Sequence, residues 1–291
     1  QAAMGINMRA VHLAWYTMEG KAKRDYPQCI SYQSAWWPYY RKVEDYFGRV
    51  HAVMSRGQDV RDLLVIHANE TMWTLFNRNG ENDAGVIAYD RMFGALRDSL
   101  LVENIDFDYG DEDILARHGK TGKAGGTAVL RVAKATYRAV LVPPLRTMRS
   151  TTLALLEQFH EAGGTVVFAG APASCVDALP SQAPAALARC CRAAPAQGKA
   201  LVRAVESQSR RLHIVGPSGR AIRPALHLLK EDRDAFYLFV CNTGHDFSKR
   251  GPGNDIAVRR RIASFDDVRI RGFAGCAGAP IELDPDSGEV Y

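Results

Sequence analysis

The stretch that decides the fold is AVLVPPLRTMRSTTLALLEQFHEAGGTVVFAG, residues 139–170. Its first four residues, 139–142, form a continuous apolar run, which is typical of a parallel strand covered on both faces. Ser150 is the expected N-cap of a following helix. The apolar face of that helix has the spacing of three and four residues that a helix requires, at Leu153, Leu156 and Phe159. A second apolar run follows at 165–168, so the stretch predicts a βαβ unit and a parallel sheet.

The same alternation of strands and helices extends over residues 60–171. Leu63–Ile66 is another continuous apolar run, and residues 127–130 form a fourth candidate strand. An apolar helix face is predicted from the spacing of Tyr89, Met92, Phe93, Leu96 and Leu100. Residues 171–200 are rich in Ala, Pro and Ser, and we expect them to form a boundary segment with one short helix. Residues 59–200 are therefore predicted to be one α/β domain.

Beyond residue 210 the pattern changes to short apolar runs separated by Gly, Asp, Asn and Pro. These runs are residues 212–215, 226–229, 236–241, 256–262 and 268–270. Short strands at this spacing are typical of an antiparallel β-sandwich. We therefore predict a sandwich over residues 201–291, and we expect it to be incomplete because its last candidate strand reaches Tyr291.

The first part of the chain has the pattern of half a β/α repeat. Residues 4–16 are expected to form a strand that leads into a loop, and Pro38 suits the first turn of a helix. That helix has an apolar face formed by Tyr39, Val43, Tyr46, Phe47, Val50 and Met54. Because the expected strand is already under way at Gly5, and because Gln1 is not an initiator residue, we expect the chain to be the later part of a longer protein.

Composition excludes several classes of protein. The net charge of +5 comes from scattered basic residues, whereas a nucleic-acid-binding protein usually gathers them on one element. The 6 cysteines form no C-x-x-C pair and have no histidine at zinc-ligand spacing, so no metal or other cofactor is predicted. Free thiols favour a reducing compartment. No apolar run approaches the roughly 20 residues that span a bilayer, so no membrane partner is predicted.

Two familiar catalytic motifs are incomplete in this chain. Gly119-Lys120-Thr121 resembles the end of a phosphate-binding loop, but the glycine that this motif requires five positions earlier is Ile114. We expect a flexible turn there instead. A nucleophile elbow places Ser or Cys directly after a strand, whereas Pro143-Pro144 follows the run at 139–142. The α/β domain is therefore predicted to be non-catalytic.

His67 and Glu70 follow the first predicted strand of the α/β domain. The carboxyl ends of the strands are where α/β sheets usually bind ligands, so these two residues are a candidate acid/base pair. Hydrogen bonding of both side chains to neighbouring loops is the alternative. We favour this alternative because no third group supports the pair.

Polar side chains and aromatic rings alternate near the start of the chain. Aromatic rings cover the apolar C–H faces of a pyranose, and Asn and His side chains bind its hydroxyl groups. The candidate substrate-binding residues are Asn7, His12, Trp15, Tyr16 and Trp36. Structural polar groups and packed indole rings are the alternative reading of the same residues. No pair of carboxylates in this stretch suits glycoside hydrolysis, so the catalytic residues remain unassigned.

The residues of this stretch also have a family resemblance. They are Gly5-x-Asn7, His12-x-x-Trp15-Tyr16, Lys23-Arg24-Asp25-Tyr26-Pro27, Gln33-x-x-Trp36-Trp37 and Asp45-Tyr46-x-x-Arg49. The run resembles the end of the catalytic barrel in large bacterial glycoside hydrolases, most closely the α-L-rhamnosidase-like enzymes of glycoside hydrolase family 106. Residues 142–152 and 163–166 are similar to the class I glutamine amidotransferase-like accessory domain of such proteins.

The resemblance implies three parts of a larger α/β enzyme. Residues 1–58 would be the end of a (β/α)8-type barrel, residues 59–200 a flavodoxin-like accessory domain, and residues 201–291 a partial antiparallel β-sandwich. The implied activity is hydrolysis of O-glycosidic bonds in a carbohydrate substrate, with the catalytic carboxylates on earlier barrel strands. A non-catalytic α/β binding or regulatory module with an appended sandwich is the alternative. Whether the chain forms a homo-oligomer is left open.

Overall fold

The computed structural model describes residues 1–10, 17, 19–20, 30–243, 264–273 and 278–291. These residues form two compact units. The small unit contains the described residues of Gln1–Val60, His227–Cys241 and Ala274–Tyr291. The large unit contains those of Arg61–Leu226 and Asn242–Phe273. The three domains predicted from sequence, 1–58, 59–200 and 201–291, stay a prediction.

The described residues form α-helices and β-strands that we number in chain order. The α-helices are α1 (Trp37–Met54), α2 (Asn69–Leu75), α3 (Ala84–Leu101), α4 (Glu112–His118), α5 (Ser150–Glu161), α6 (Ala183–Cys190) and α7 (Lys199–Ser209). The first eight strands are β1 (Gln58–Asp59), β2 (Leu63–Ile66), β3 (Asp108–Gly110), β4 (Gly119–Ala124), β5 (Thr127–Val132), β6 (Ala135–Tyr137), β7 (Ala139–Val142) and β8 (Thr147–Met148). The others are β9 (Thr165–Ala169), β10 (Cys175–Val176), β11 (Leu179–Pro180), β12 (Arg192–Ala194), β13 (Leu212–Val215), β14 (Ala225–Glu231), β15 (Phe236–Asn242) and β16 (Arg269–Gly272).

The large unit is built on a five-stranded sheet with the order β12-β9-β7-β2-β3. All four strand pairs of this sheet are parallel. Numbered by their place in the chain, the strands lie in the order 2-1-3-4-5. The residues of β2 and β7 are buried throughout, because helices cover both faces of the sheet. The prediction of an α/β fold with a parallel sheet is confirmed.

Two hydrophobic clusters cover the two faces of the sheet. Leu64 and Ile66 belong to one cluster, which includes residues of α4 and α5 such as Phe159. Leu63 and Val65 belong to the other, which includes residues of α3 and α7. Successive side chains of a strand point to opposite faces, so the one apolar run of β2 supplies both cores.

Residues 127–130 do not join the parallel sheet. They lie in β5, which pairs antiparallel with β4 and β6 in a separate three-stranded sheet. The turn between β4 and β5 is Gly125-Gly126, and both glycines have positive φ angles, of 55° and 82°. A two-residue turn of this kind forces antiparallel pairing, whereas a parallel pair needs a long crossover. Gly119-Lys120-Thr121 is consequently part of strand β4, and the expected flexible turn is wrong.

Residues 171–200 are more than a boundary segment with one short helix. They contain α6, and β12 pairs parallel with β9 at the edge of the main sheet. The sequence Arg192-Ala193-Ala194 has no apolar run, because an edge strand is held mainly by its backbone hydrogen bonds. The expected cap of α5 is also wrong: the N-cap position is Arg149, and the Ser150 N–H donates to Asp177 Oδ1 at 3.0 Å.

In the small unit α1 confirms the helix predicted to begin near Pro38. Only the end of its predicted apolar face is buried, where Val50 and Met54 pack against Leu228. Tyr39, at the start of the helix, has 72% of its surface exposed. The strands β1, β14 and β15 form an antiparallel sheet.

Residues 4–16 were expected to form a strand, but residues 4–10, which the structure describes, form none. Ala2–Met4 is a 3-10 helix, and residues 5–10 form no regular element. A strand needs a neighbour for its N–H and C=O groups, and no described strand pairs with this segment. Residues 11–16 lie outside the described residues.

The short runs beyond residue 210 form antiparallel pairs, as expected. β13 pairs with β16, and β14 is the central strand of the sheet that contains β15. The candidate strand at 256–262 lies outside the described residues. Among the helices that the structure describes, none is long and apolar enough to cross a membrane.

Candidate functional site

The carboxyl edge of the five-stranded sheet is the place where an α/β fold of this kind would bind a ligand. From β2 the chain proceeds to β3 on one side, and from β7 it proceeds to β9 on the other side. The loops after β2 and β7 therefore diverge, and such a switch point opens a crevice at the carboxyl ends of the strands. Glu70 follows β2, Glu112 follows β3 and Arg149 follows β7.

These three residues fill the crevice with a hydrogen-bonded cluster, which we call the carboxyl clasp (Glu70, Glu112, Arg149). Arg149 Nε donates to Glu70 Oε1 at 2.7 Å. The backbone N–H of Arg149 donates to Glu112 Oε2, also at 2.7 Å. Since each partner follows a different strand, the clasp ties three loops of the sheet edge together.

The two carboxyl groups of the clasp are largely buried, whereas the Arg149 side chain is one third exposed. Glu112 has 1% of its surface exposed, and the Glu70 side chain has 12%. Burial raises the pKa of Glu112 to about 7, because a carboxylate loses its hydration there. The Thr152 hydroxyl and the Arg149 N–H lower the pKa of Glu112, and the neighbouring Glu70 carboxyl raises it. Near neutral pH this carboxyl group is therefore easily protonated.

A second contact closes the same crevice. Thr71, one residue after Glu70, has 1% of its surface exposed. Its hydroxyl oxygen accepts a hydrogen bond from Arg146 N at 2.9 Å and a longer one from Thr147 N at 3.4 Å. The hydroxyl donates in turn to the Thr147 carbonyl oxygen at 3.3 Å. Helix α2 is thereby fixed to the loop after β7.

His67 and Glu70 were the residues that the sequence placed at this edge. Glu70 is bonded to Arg149, which lies in a neighbouring loop. This agrees with the alternative that we favoured for Glu70, hydrogen bonding to a neighbouring loop. The His67 ring packs against Tyr109 and Phe93, with ring centroids 5.1 Å and 5.7 Å apart. The two side chains therefore have separate structural partners, which does not favour an acid/base pair.

Glu112 and Arg149 were not found by sequence reasoning. Glu112 stands between two aspartates at the start of a helix, where acidic residues are usually solvated and favour the helix dipole. Only burial distinguishes Glu112 from the neighbouring Asp111 and Asp113. The sequence does not show which of three adjacent acidic residues is buried.

The small unit contains a second candidate site, an aromatic cluster at the start of α1. The Tyr40 ring lies 5.4 Å from the Trp36 ring at an angle of 55°, and 6.0 Å from the Trp37 ring at 17°. Arg9 Nη2 donates to the Tyr40 hydroxyl at 2.9 Å, and the Arg9 guanidinium lies 4.5 Å from the centre of the Phe47 ring. Rings and a guanidinium group are thus combined in one place.

Electrostatic contacts complete this cluster. Arg9 forms an ion pair with Glu44 at 3.2 Å, and Glu44 is also hydrogen-bonded to Tyr40. Burial and this hydrogen bond raise the pKa of Tyr40, so its hydroxyl keeps its proton and can donate. Trp37 has 42% of its surface exposed, which leaves ring surface for a ligand.

The predicted substrate-binding residues are only partly described. Trp36 is half-buried in the aromatic cluster, where its ring contact is Tyr40. Asn7 is exposed in the irregular segment before Arg9. His12, Trp15 and Tyr16 lie outside the described residues, and so does the stretch 23–27. Arg9 and Tyr40 were not selected from the sequence, although the spacing of Trp36 and Tyr40 by four residues places both on one helix face.

The described part of the chain has no group of three or more His, Cys, Asp or Glu side chains suited to a metal ion. No protein-family model matches this chain, and no curated protein sequence matches it. Its function is therefore inferred from the two sites and from the fold.

Proposed function

We propose that this chain is the C-terminal part of a glycoside hydrolase of the α-L-rhamnosidase-like kind, in which it binds sugar and does not perform the bond cleavage. The observation that carries the proposal is the aromatic cluster of the small unit, where the Trp36 and Trp37 rings pack against Tyr40 and the Tyr40 hydroxyl accepts from Arg9 Nη2. Pyranose sites combine flat rings with fixed hydrogen-bonding groups in this way.

Exposed apolar side chains support a larger assembly around this cluster. Met4, Ile6 and Met8 have between 49% and 78% of their surface exposed, and they precede Arg9 in the segment without a strand. Tyr39 is exposed at the start of α1. A group of exposed apolar residues of this kind usually marks a surface that packs against other polypeptide. In the proposal this exposed apolar surface packs against a (β/α)8-type barrel.

The large unit has the role of an accessory domain in this proposal. Its strand order 2-1-3-4-5 supports a flavodoxin-like, amidotransferase-like fold. The Glu70–Arg149 pair and the Thr71 hydroxyl fill its switch point, and Pro143-Pro144 follows β7 where a nucleophile would stand. The antiparallel pair of β13 with β16 supports the proposed β-sandwich that follows.

No residue of this chain is proposed as the acid/base or nucleophile. Glu70 and Glu112 are neighbouring carboxyl groups of the carboxyl clasp, and glycoside cleavage needs a pair of carboxyl groups on either side of an accessible sugar bond. Glu112 has 1% of its surface exposed, so a saccharide does not reach it. The purified chain is therefore expected to bind sugar without cleaving aryl glycosides.

The test is a titration of the purified chain with methyl α-L-rhamnopyranoside and a panel of other methyl pyranosides, followed by tryptophan fluorescence. We expect quenching with a dissociation constant in the millimolar range, since a single sugar buries few atoms. Trp37→Ala should abolish most of the quenching. Trp73→Ala is the matched control, because Trp73 is 65% exposed in the large unit and should not change binding.

Two results would contradict the proposal. The first is an unchanged binding curve for Trp37→Ala, and the second is an equal loss of binding for Trp73→Ala. Turnover of aryl glycosides by the chain alone would show that its role is not confined to binding.

A non-catalytic α/β binding or regulatory module is the second candidate. It is favoured by the large unit, whose sheet is covered by its own helices on both faces. Absence of sugar binding in the titration, together with a coding region that opens directly upstream of Gln1, would favour this module over the hydrolase.

A further inference from the structure

The carboxyl clasp contains an atom whose hydrogen bonding is incomplete. Glu70 Oε1 accepts from Arg149 Nε, but Glu70 Oε2 is buried and has no donor in the structure. The Glu112 carboxyl is held by the same residue, because its Oε2 accepts from the Arg149 backbone N–H while the Arg149 side chain donates to Glu70. Two ionised carboxylates have only acceptors, so they cannot bond to each other. One proton on Glu112 gives Glu70 Oε2 the donor that it lacks.

The charges around the clasp favour the same proton. Five carboxyl groups of three segments face this region: Glu70 of α2, Asp111, Glu112 and Asp113 at the start of α4, and Asp177 after β10. The cations described beside them are Arg149 and, on α4, Arg117, which pairs with Asp113. With all five carboxyl groups ionised the region would carry excess negative charge in a partly dry site, which is costly.

The proton is best placed on the Glu70–Glu112 pair. Asp111 accepts two backbone N–H groups of α4 and the Asn69 amide, and these bonds lower its pKa. Asp177 accepts from Ser150 N, and its pKa is lowered as well. Both aspartates therefore stay ionised, whereas Glu112 is the most deeply buried of the five carboxyl groups.

We propose that Glu70 and Glu112 share one proton, and that this proton works as a pH-sensitive fastener of the three loops at the carboxyl edge of the large unit. In the protonated state Glu112 donates to Glu70, while Arg149 holds both groups. When the proton is lost, two neighbouring carboxylates repel each other, and the loops after β2, β3 and β7 separate more easily. This inference does not depend on the proposed sugar binding.

The sign of the pH effect follows from linkage. A carboxyl group whose pKa is higher in the folded than in the unfolded state binds more protons when folded, so its contribution to stability declines as pH rises through that window. The window here runs from the ordinary pKa of glutamate, 4.5, to about 7. The clasp is therefore closed in mild acid and weakened above neutral pH.

The experiment is hydrogen exchange of the full chain between about pH 5.5 and pH 8.5, corrected for intrinsic exchange and analysed by mass spectrometry. In the wild type we expect the opening constant of segments 68–75, 111–118 and 146–152 to rise roughly tenfold or more over this range. Glu112→Gln keeps a donor next to Glu70 without a titrating proton, so its opening constant should stay flat. Glu161→Gln, on the exposed end of α5, is the matched control and should follow the wild type.

Two further measurements test the proposal if the Glu112→Gln variant does not fold. Glu70→Gln removes the other charge of the pair and should also flatten the pH response. In the wild type, an infrared band of a protonated carboxyl group should persist to near neutral pH and be lost in Glu70→Gln. The proposal is overturned if the three segments show no pH response in the wild type. It is also overturned if Glu70→Gln keeps both the response and the infrared band.

Discussion

Removing the hydroxyl group of Thr71 is a direct test of how the sheet edge is closed. Thr71→Val keeps the shape of the side chain and deletes its oxygen. That oxygen accepts the N–H groups of Arg146 and Thr147 in a site where Thr71 itself has 1% of its surface exposed. The variant therefore leaves backbone donors without a partner and without water.

The magnitude follows from the two donors. An unpaired buried N–H costs about 1–3 kcal/mol. The Arg146 bond, at 2.9 Å, is a full hydrogen bond, whereas the Thr147 bond, at 3.4 Å, is long and contributes less. We expect Thr71→Val to destabilise the large unit by about 2–3 kcal/mol. Thr71→Ser keeps the hydroxyl and loses one methyl group, which is worth about 0.8 kcal/mol.

The assay is native-state hydrogen exchange of the amides of β2, because the chain has two units and one global unfolding free energy would mix them. A loss of about 2 kcal/mol corresponds to a roughly 30-fold faster exchange of these amides. The role of the hydroxyl is refuted if Thr71→Val exchanges within about twofold of the wild type. It is refuted equally if Thr71→Ser is as damaging as Thr71→Val, since that result would assign the effect to packing.

Two other predictions concern the interior of the large unit. Burial raises the pKa of Asp106 to about 6, although Arg61 Nε donates to its carboxylate at 2.8 Å. The folded state therefore binds this proton more tightly than the unfolded state does. As pH rises from about 4 to about 6, the large unit should lose up to about 3 kcal/mol of stability. Asp106→Asn should remove that pH dependence from the exchange of the β2 amides, and an unchanged pH dependence would contradict the prediction. Phe159→Ala should cost about 3–5 kcal/mol in the same assay, since the ring is fully buried, and a smaller loss in Phe159→Leu is the control.

The parallel sheet was predictable because its central strands are covered on both faces. Continuous apolar runs such as Leu63–Ile66 and 139–142 are found where both faces need apolar side chains. The helices α1, α3 and α5 were predictable from apolar periodicity, which is strong over 12 to 18 residues. In α3 and α5 the local pattern and the burial in the fold agree, whereas only the end of the apolar face of α1 is buried.

The misplaced elements are those whose place in the fold is set by a pairing partner or contact and not by their own apolar pattern. Residues 127–130 have the apolar run of a central strand, but the Gly125-Gly126 turn pairs them with their predecessor. The edge strand β12 has almost no apolar signal, and Asp177 replaces Ser150 at the start of α5 across 27 positions of sequence. In each case a contact made by the tertiary structure overrides the local preference.

The candidate sites were predictable to different degrees. Glu70 was placed at the correct edge because carboxyl ends of parallel strands gather there. Its partners, Arg149 and Glu112, lie 79 and 42 positions away in the sequence and became visible only in the fold. In the small unit Trp36 was selected because of its aromatic ring. Arg9 was not selected, because the sequence around it does not show whether its guanidinium group contacts a ring or lies in solvent.

A ligand at the carboxyl edge has to compete with the contacts already there. Separating Glu70 from Arg149 leaves the largely buried Glu70 carboxyl without its cation, which is unfavourable, and a ligand with a millimolar dissociation constant has only about 4 kcal/mol of binding free energy. For a neutral sugar of that affinity, the cost of separating Glu70 from Arg149 would offset the binding free energy. A ligand able to enter must therefore bring its own anionic group for Arg149, and it must do so where Glu112 is protonated or displaced. The sheet edge is consequently selective against neutral saccharides, which is why we assign the sugar site to the aromatic cluster of the small unit.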